Sequence, residues 1–138
     1  MNAGKRVLMS RKQARKRPTD AEMAILRVIW EQGPSTVRQV YQRLSAEQDI
    51  GYTTVLKFMQ IMTEKGLLVR DASVRPQVFK PARSQRQTQR QLLGDLIDRA
   101  FSGSPGNLVM QALSTKKSTA EERQRIRELL DKLEGGQA

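Results

Sequence analysis

Apolar residues recur at helical spacing in two early runs, Met23, Leu26, Ile29, Trp30 and then Val37, Val40, Tyr41, Leu44. A capping box precedes each run. In Thr19-Asp20-Ala21-Glu22 and in Thr36-Val37-Arg38-Gln39, the Thr and the fourth residue each satisfy a free backbone N–H. Gly33-Pro34 ends the first predicted helix, and a polar turn over residues 45–51 follows the second. The spacing predicts a third helix from Thr53 to Lys65, stopped by Gly66. With about 100° of rotation per residue, Val55, Phe58, Met59 and Met62 gather on one side and Thr53, Thr54, Lys57, Gln60, Ile61 and Glu64 on the other. The first set is expected to pack inward and the second to face out. Met23, Leu26, Ile29, Val40, Leu44, Val55, Met59 and Met62 are accordingly expected to form the core of a small domain.

The period then changes. Leu67–Asp71 and Gln77–Lys80 read as two strands joined by Ala72–Pro76, with Arg75 near the tip. A fourth helix is expected from Ser84, boxed with Gln87. Its first half is polar on all sides, and its second half carries Leu92, Leu93, Leu96, Ile97, Ala100 and Phe101. Ser102–Gly106 breaks it, a short helix is expected over Asn107–Leu113, and a box at Ser118-Thr119-Ala120-Glu121 opens a last helix with Ile126, Leu129, Leu130 and Leu133.

Three short helices followed by a β-hairpin is the order of a winged helix-turn-helix. The fold class read from the pattern is therefore mainly α with a small β-hairpin. A winged helix over 18–83 is followed by a helical dimerisation region over 84–138. In that region the apolar positions Leu93, Leu96, Ile97, Phe101, Leu108, Ile126, Leu129, Leu130 and Leu133 have little of their own chain to cover them. So few residues seldom bury enough surface alone, which argues for a second copy, though the helices could instead fold back on their own winged helix.

Charge sharpens this picture. The 138 residues have a net charge of +11, yet residues 1–90 carry 18 Lys and Arg against 7 Asp and Glu, while residues 91–138 carry 7 of each. A basic part joined to a neutral one suits a polyanion binder with a separate assembly module. Residues 1–17 hold seven cations and no acid, and read as a flexible basic arm. Whether it lies along DNA or is simply solvated stays open. On the third helix, Thr53 and Thr54 suit phosphates or bases, Lys57 guanine or phosphate, Gln60 adenine, and Ile61 a thymine methyl; Arg38 and the wing's Arg75 suit the flanking backbone.

Chemistry is limited in turn. With no Cys and no His, thiolate chemistry, disulfides and the commonest metal ligand and general base are absent. No phosphate loop or nucleophile elbow occurs. The expectation is a protein that is not an enzyme, with no cofactor and no metal site. No apolar run approaches the ~18 residues that would span a bilayer, so membrane insertion is not expected and a cytoplasmic location is. A nonspecific nucleoid-like or RNA-binding protein remains the alternative, although RNA readers stack bases on exposed aromatics and the few present here fall mostly on core faces.

Several segments carry a family resemblance. They are Pro18-Thr19-Asp20-Ala21-Glu22 with Leu26 and Ile29-Trp30-Glu31, Thr36-Val37-Arg38-Gln39-Val40-Tyr41, Tyr52-Thr53-Thr54-Val55 with Met59 and Lys65-Gly66-Leu67, and Phe101 with Gly103. In order and spacing, over about residues 18–134, the chain resembles the BlaI/MecI/CopY, or penicillinase-repressor, family. The resemblance implies a homodimeric winged-helix repressor on palindromic operators in double-stranded DNA. It also implies relief by proteolysis, with a membrane metalloprotease receptor or a downstream protease as partner. The matching cut lies at Ala100–Phe101, although the best-known members have Asn where this chain has Ala100. Lys57 and Ile61 stand where relatives often carry Thr and Arg, which implies a different operator. The Cys-rich metal site of the copper-responsive branch has no counterpart here.

Overall fold

The computed structural model describes residues 17–136; the basic arm read over 1–17 otherwise lies outside the described residues. The described elements are α1 (Asp20–Gln32), α2 (Val37–Ser45), α3 (Tyr52–Glu64), β1 (Leu68–Asp71), β2 (Val78–Pro81), α4 (Gln85–Ala100), α5 (Pro105–Thr115) and α6 (Ala120–Gly135). This is the winged-helix order that the hydrophobic pattern predicts, followed by further helices. The chain divides into two compact units, the first ending at Leu92 and the second beginning at Leu93. The polar first half of α4 thus groups with the winged helix, beyond the boundary read at 83/84.

In the first unit both boxes form. The Thr19 hydroxyl accepts from the Glu22 N–H at 3.2 Å while the Glu22 carboxylate accepts from the Thr19 N–H at 2.9 Å. Thr36 and Gln39 do the same at 3.1 and 2.9 Å. These bonds use backbone donors that a helix start leaves open, and fix where α1 and α2 begin. Gly66 ends α3 at φ 82, a left-handed conformation that costs a side-chain-bearing residue about 1–2 kcal/mol. The Leu67 N–H then closes on the Met62 carbonyl at 2.8 Å, and the chain turns directly into β1.

The core gathers Ile25, Leu26, Ile29, Val40, Val55, Met59, Met62 and Leu68, all at most 2% exposed. Leu44 and Phe79 close it. The helical-spacing reading of α1 omitted Ile25 and Val28, which are buried as well, because three elements pack on this helix and its apolar face is wider than one stripe. Met23 and Phe58, assigned to the inner side, are half-buried at its edge. β1 and β2 pair antiparallel with Leu68 opposite Pro81 and Arg70 opposite Phe79. Ser35 adds a bridge to the hairpin: its N–H donates to the Phe79 carbonyl at 2.9 Å and the Phe79 N–H returns a bond at 2.8 Å. The wing is thereby fastened to the start of α2.

In the second unit two helix starts differ from their expected positions. Ser104 caps α5 through the Asn107 N–H at 3.1 Å, with Pro105 as the first helical residue, so the helix begins before Asn107. Pro105 had read as part of the break, but its fixed φ and missing N–H suit a first turn. For α6, two overlapping boxes exist in the sequence. The structure uses Thr119 with Glu122, at 3.0 and 2.9 Å, while the Ser118 carbonyl accepts from Arg123 at 2.6 Å. No residue of α5 or α6 is buried, and Leu93, Leu96, Val109, Met110, Leu113, Leu129, Leu130 and Leu133 are exposed. No described helix is long and apolar enough to cross a membrane.

Candidate nucleic-acid interface

The burial of α3 divides as its rotation requires. Val55, Met59 and Met62 are fully buried, whereas Thr53, Thr54, Lys57 and Gln60 are exposed and Ile61 is half-buried between the two faces. Burying each large apolar side chain contributes roughly 1.5–3 kcal/mol, so the three together fix the helix rotation and leave the polar edge outward. The outward set is mostly polar and carries Lys57 as its only charge apart from Glu64 at the far end.

Arg38, exposed on the first turn of α2, stands over the first residue of α3. Its guanidinium carbon lies 5.5 Å from the centroid of the Tyr52 ring. That ring meets Tyr41 edge-on at 5.8 Å with the planes 77° apart. Both the cation–π contact and the aromatic pair hold otherwise free side chains in one place. Arg75 is exposed between the strands.

A groove runs between the start of α2, the outer edge of α3 and the wing, with Arg38, Gln39, Gln42, Tyr52, Gln60, Arg70 and Gln77 along its walls. Of these, the sequence reading had assigned only Arg38 and Gln60. The signal for Arg70 was present in the strand alternation, since residues 68 and 70 share a face.

Charge is distributed unevenly around α2 and α3. Arg43 is bound to Glu47 and, at 3.5 Å, to Glu31; the Glu47 hydrogen bond leads in raising its pKa. Lys65 is bound to Glu22 at 2.7 Å. Among the described residues, Arg38, Lys57, Arg70 and Arg75 are in no ion pair. Among the described residues Arg43 and Lys65 are the cations held in ion pairs, and Arg38 and Arg70, on the groove wall, are not among them. Among the described residues there is no cluster of His, Cys, Asp or Glu that could hold a metal ion.

The remaining sequence-assigned positions lie in the C-terminal helices. Leu93, Leu96, Leu129, Leu130 and Leu133 are exposed, and Ile97, Phe101, Leu108 and Ile126 are half-buried. Ala100 is the exposed last residue of α4.

The penicillinase repressor family model matches residues 18–132, most of the chain. The chain belongs to the penicillinase repressor family. It is 30% identical over 119 residues to the transcriptional regulator BlaI of two Mycobacterium tuberculosis strains, CDC 1551 and H37Rv, covering 85% of this chain and 85% of each relative. Among solved structures it resembles AbfR of Staphylococcus epidermidis at 15% identity and a TM-score of 0.42, over 96% of this chain and 87% of that one. The family resemblance carried by the capping boxes and the Tyr52-Thr53-Thr54-Val55 segment is thus borne out, and it places the chain among transcriptional regulators.

Proposed function

We propose that this protein is a sequence-specific transcriptional repressor that binds palindromic operators in double-stranded DNA as a homodimer. One observation carries the reading: α3 turns three fully buried apolar residues to the core and leaves Thr53, Thr54, Lys57 and Gln60 open beside unpaired arginines. A helix of this kind fits the major groove, where such side chains meet base edges. Ile61 borders the same face, and Arg38 and Arg75 hold the flanking backbone.

The second unit supports pairing with another copy. Leu93, Leu96, Leu129, Leu130 and Leu133 are between 44% and 57% exposed, an apolar surface that a second copy would cover while doubling the DNA contacts. Half-buried Ile97, Phe101, Leu108 and Ile126 adjoin it. Family membership supports relief by proteolysis at Ala100–Phe101, through a membrane metalloprotease receptor or a downstream protease. The exposed end of α4 suits such a cut. Transcriptional control calls for no catalytic group, cofactor or metal, and for a cytoplasmic location.

The test is selection of bound fragments from the source genome, followed by sequencing and by binding at several salt concentrations. The expected result is a small set of fragments sharing an inverted repeat, with affinity above nonspecific DNA persisting as salt rises. Sequence-blind recovery, or equal retention of RNA, would instead favour a nucleoid-like or RNA-binding protein, which the basic N-terminal two-thirds also suits.

A further inference from the structure

The hairpin places Arg70, a cation outside the interface set expected from the sequence, on the wall of the groove. Across an antiparallel pair, opposed residues share a face, so Arg70 and its partner Phe79 lie on the same side as Leu68. Leu68 and Phe79 are buried, at 2% and 4% exposure. This is therefore the side of the wing turned to the helices. Val69 and Lys80 lie on the other. Arg70 thus has an exposed side chain on an inward-facing strand position, at the rim of the core and on the wall of the groove that Arg38 lines from α2. Neither arginine has a carboxylate partner among the described residues, and Arg38 is already steadied over the Tyr52 ring.

We propose that Arg70 and Arg38 form a two-sided clamp for the phosphodiester backbone of the DNA strand running beside α3, with Arg70 rather than the turn residue Arg75 as the wing's principal phosphate contact. The proposal rests on the DNA-binding reading above and adds the contact that sets the depth of α3 in its groove. Two guanidinium side chains on the lining of one groove, which the amides of Gln39, Gln42, Gln60 and Gln77 also line, suit a diester anion. Among the described residues that line it, the groove has no carboxylate to favour a cation instead. A phosphate contact carries no sequence information, so its loss weakens every duplex alike and lowers the salt dependence of binding.

The experiment measures binding of the full chain to a duplex that the wild-type protein selects from a random-sequence pool, and to a scrambled duplex, across a salt series. Arg70→Gln and Arg70→Lys both keep a stem over Phe79, and thermal unfolding checks that each is folded. The expected result for Arg70→Gln is about tenfold weaker binding to both duplexes, with the slope of log K against log salt reduced by roughly one. Arg70→Lys should retain the slope, and adding Arg38→Gln should remove about one more. Arg43→Gln, at a paired cation, should change nothing. An unchanged slope in Arg70→Gln overturns the clamp, as does a shift in preference at one base position, which would make Arg70 a base reader. These failures are separable from failure of the parent reading. If the clamp alone is wrong, the wild type still discriminates the selected from the scrambled duplex. If the wild type shows no discrimination but Arg70→Gln still lowers the slope, sequence-specific repression falls and the clamp stands.

Discussion

Glu22 is 2% exposed on its side chain, yet one of its oxygens serves two elements. Oε1 accepts from the Thr19 N–H at 2.9 Å and from Lys65 Nζ at 2.7 Å, so the first turn of α1 and the end of α3 meet at one atom. Glu22→Gln retains an acceptor for the cap but loses the charge that Lys65 faces. Hydrogen bonds to charged groups contribute about 1.5–3 kcal/mol, and a urea denaturation series should show a loss of roughly that size. The capping box made Glu22 legible as a cap, but its ion pair depends on contact across 43 positions of sequence and was not. A second carboxyl reports the wing. Asp71 accepts from the Ser73 hydroxyl at 2.5 Å and from its N–H at 3.0 Å, and these bonds hold its pKa below the ordinary aspartate value. A lowered folded pKa means that this contribution to stability is present above the unfolded value and is lost as pH falls through the folded one. A carboxyl NMR titration should place the Asp71 midpoint below that of a peptide aspartate, and Ser73→Ala should move it back up.

Elements were most readable where several local signals agreed. For α1 and α2 a box and an apolar run coincide, at the start of α4 the Ser84–Gln87 box stands by itself, and all three helices begin where those signals place them. For α5 and α6, competing signals stood within a few residues: Pro105 reads equally as a breaker or a first helical residue, and Ser118 and Thr119 each head a box. In the structure Ser104 caps α5 with Pro105 in the first turn, and Thr119 caps α6 while both the Ser118 carbonyl and hydroxyl accept from Arg123. The groove was the least legible feature, since it is built from α2, α3 and both strands. For α3 itself, exposure of Thr54 and Lys57 allows truncation without disturbing Val55, Met59 or Met62. Thr54→Ala or Lys57→Ala should each weaken operator binding by about 1–3 kcal/mol with unchanged unfolding. Fluorescence anisotropy on a selected duplex would measure this, and full affinity in both variants would remove α3 from its proposed role.

For the whole molecule, the charge division along the sequence parallels the division into units. Net positive charge lies in the N-terminal two-thirds, which contains the open face of α3, while the last 48 positions have balanced charge and expose several large apolar residues. Composition therefore points to two roles, reading and pairing. It could not indicate that α4 continues from one unit into the other. If pairing uses the exposed leucines of α6, Leu129→Asp should halve the mass seen in sedimentation and weaken operator binding, while Lys57→Ala should leave the mass unaltered. An intact dimer in Leu129→Asp would move the pairing surface elsewhere.

α4 closes at Ala100, and the next two residues after Phe101 take left-handed backbone, Ser102 at φ 50 and Gly103 at φ 77. If the proposed scission falls at the bond that follows the helix, it leaves the winged helix whole and strips it only of its last two helices. Such a fragment would still recognise its sequence, but with one hand instead of two. Since a peptide bond is not remade, the promoter could be silenced again only at the pace of fresh protein synthesis, which would give the circuit a memory longer than its signal.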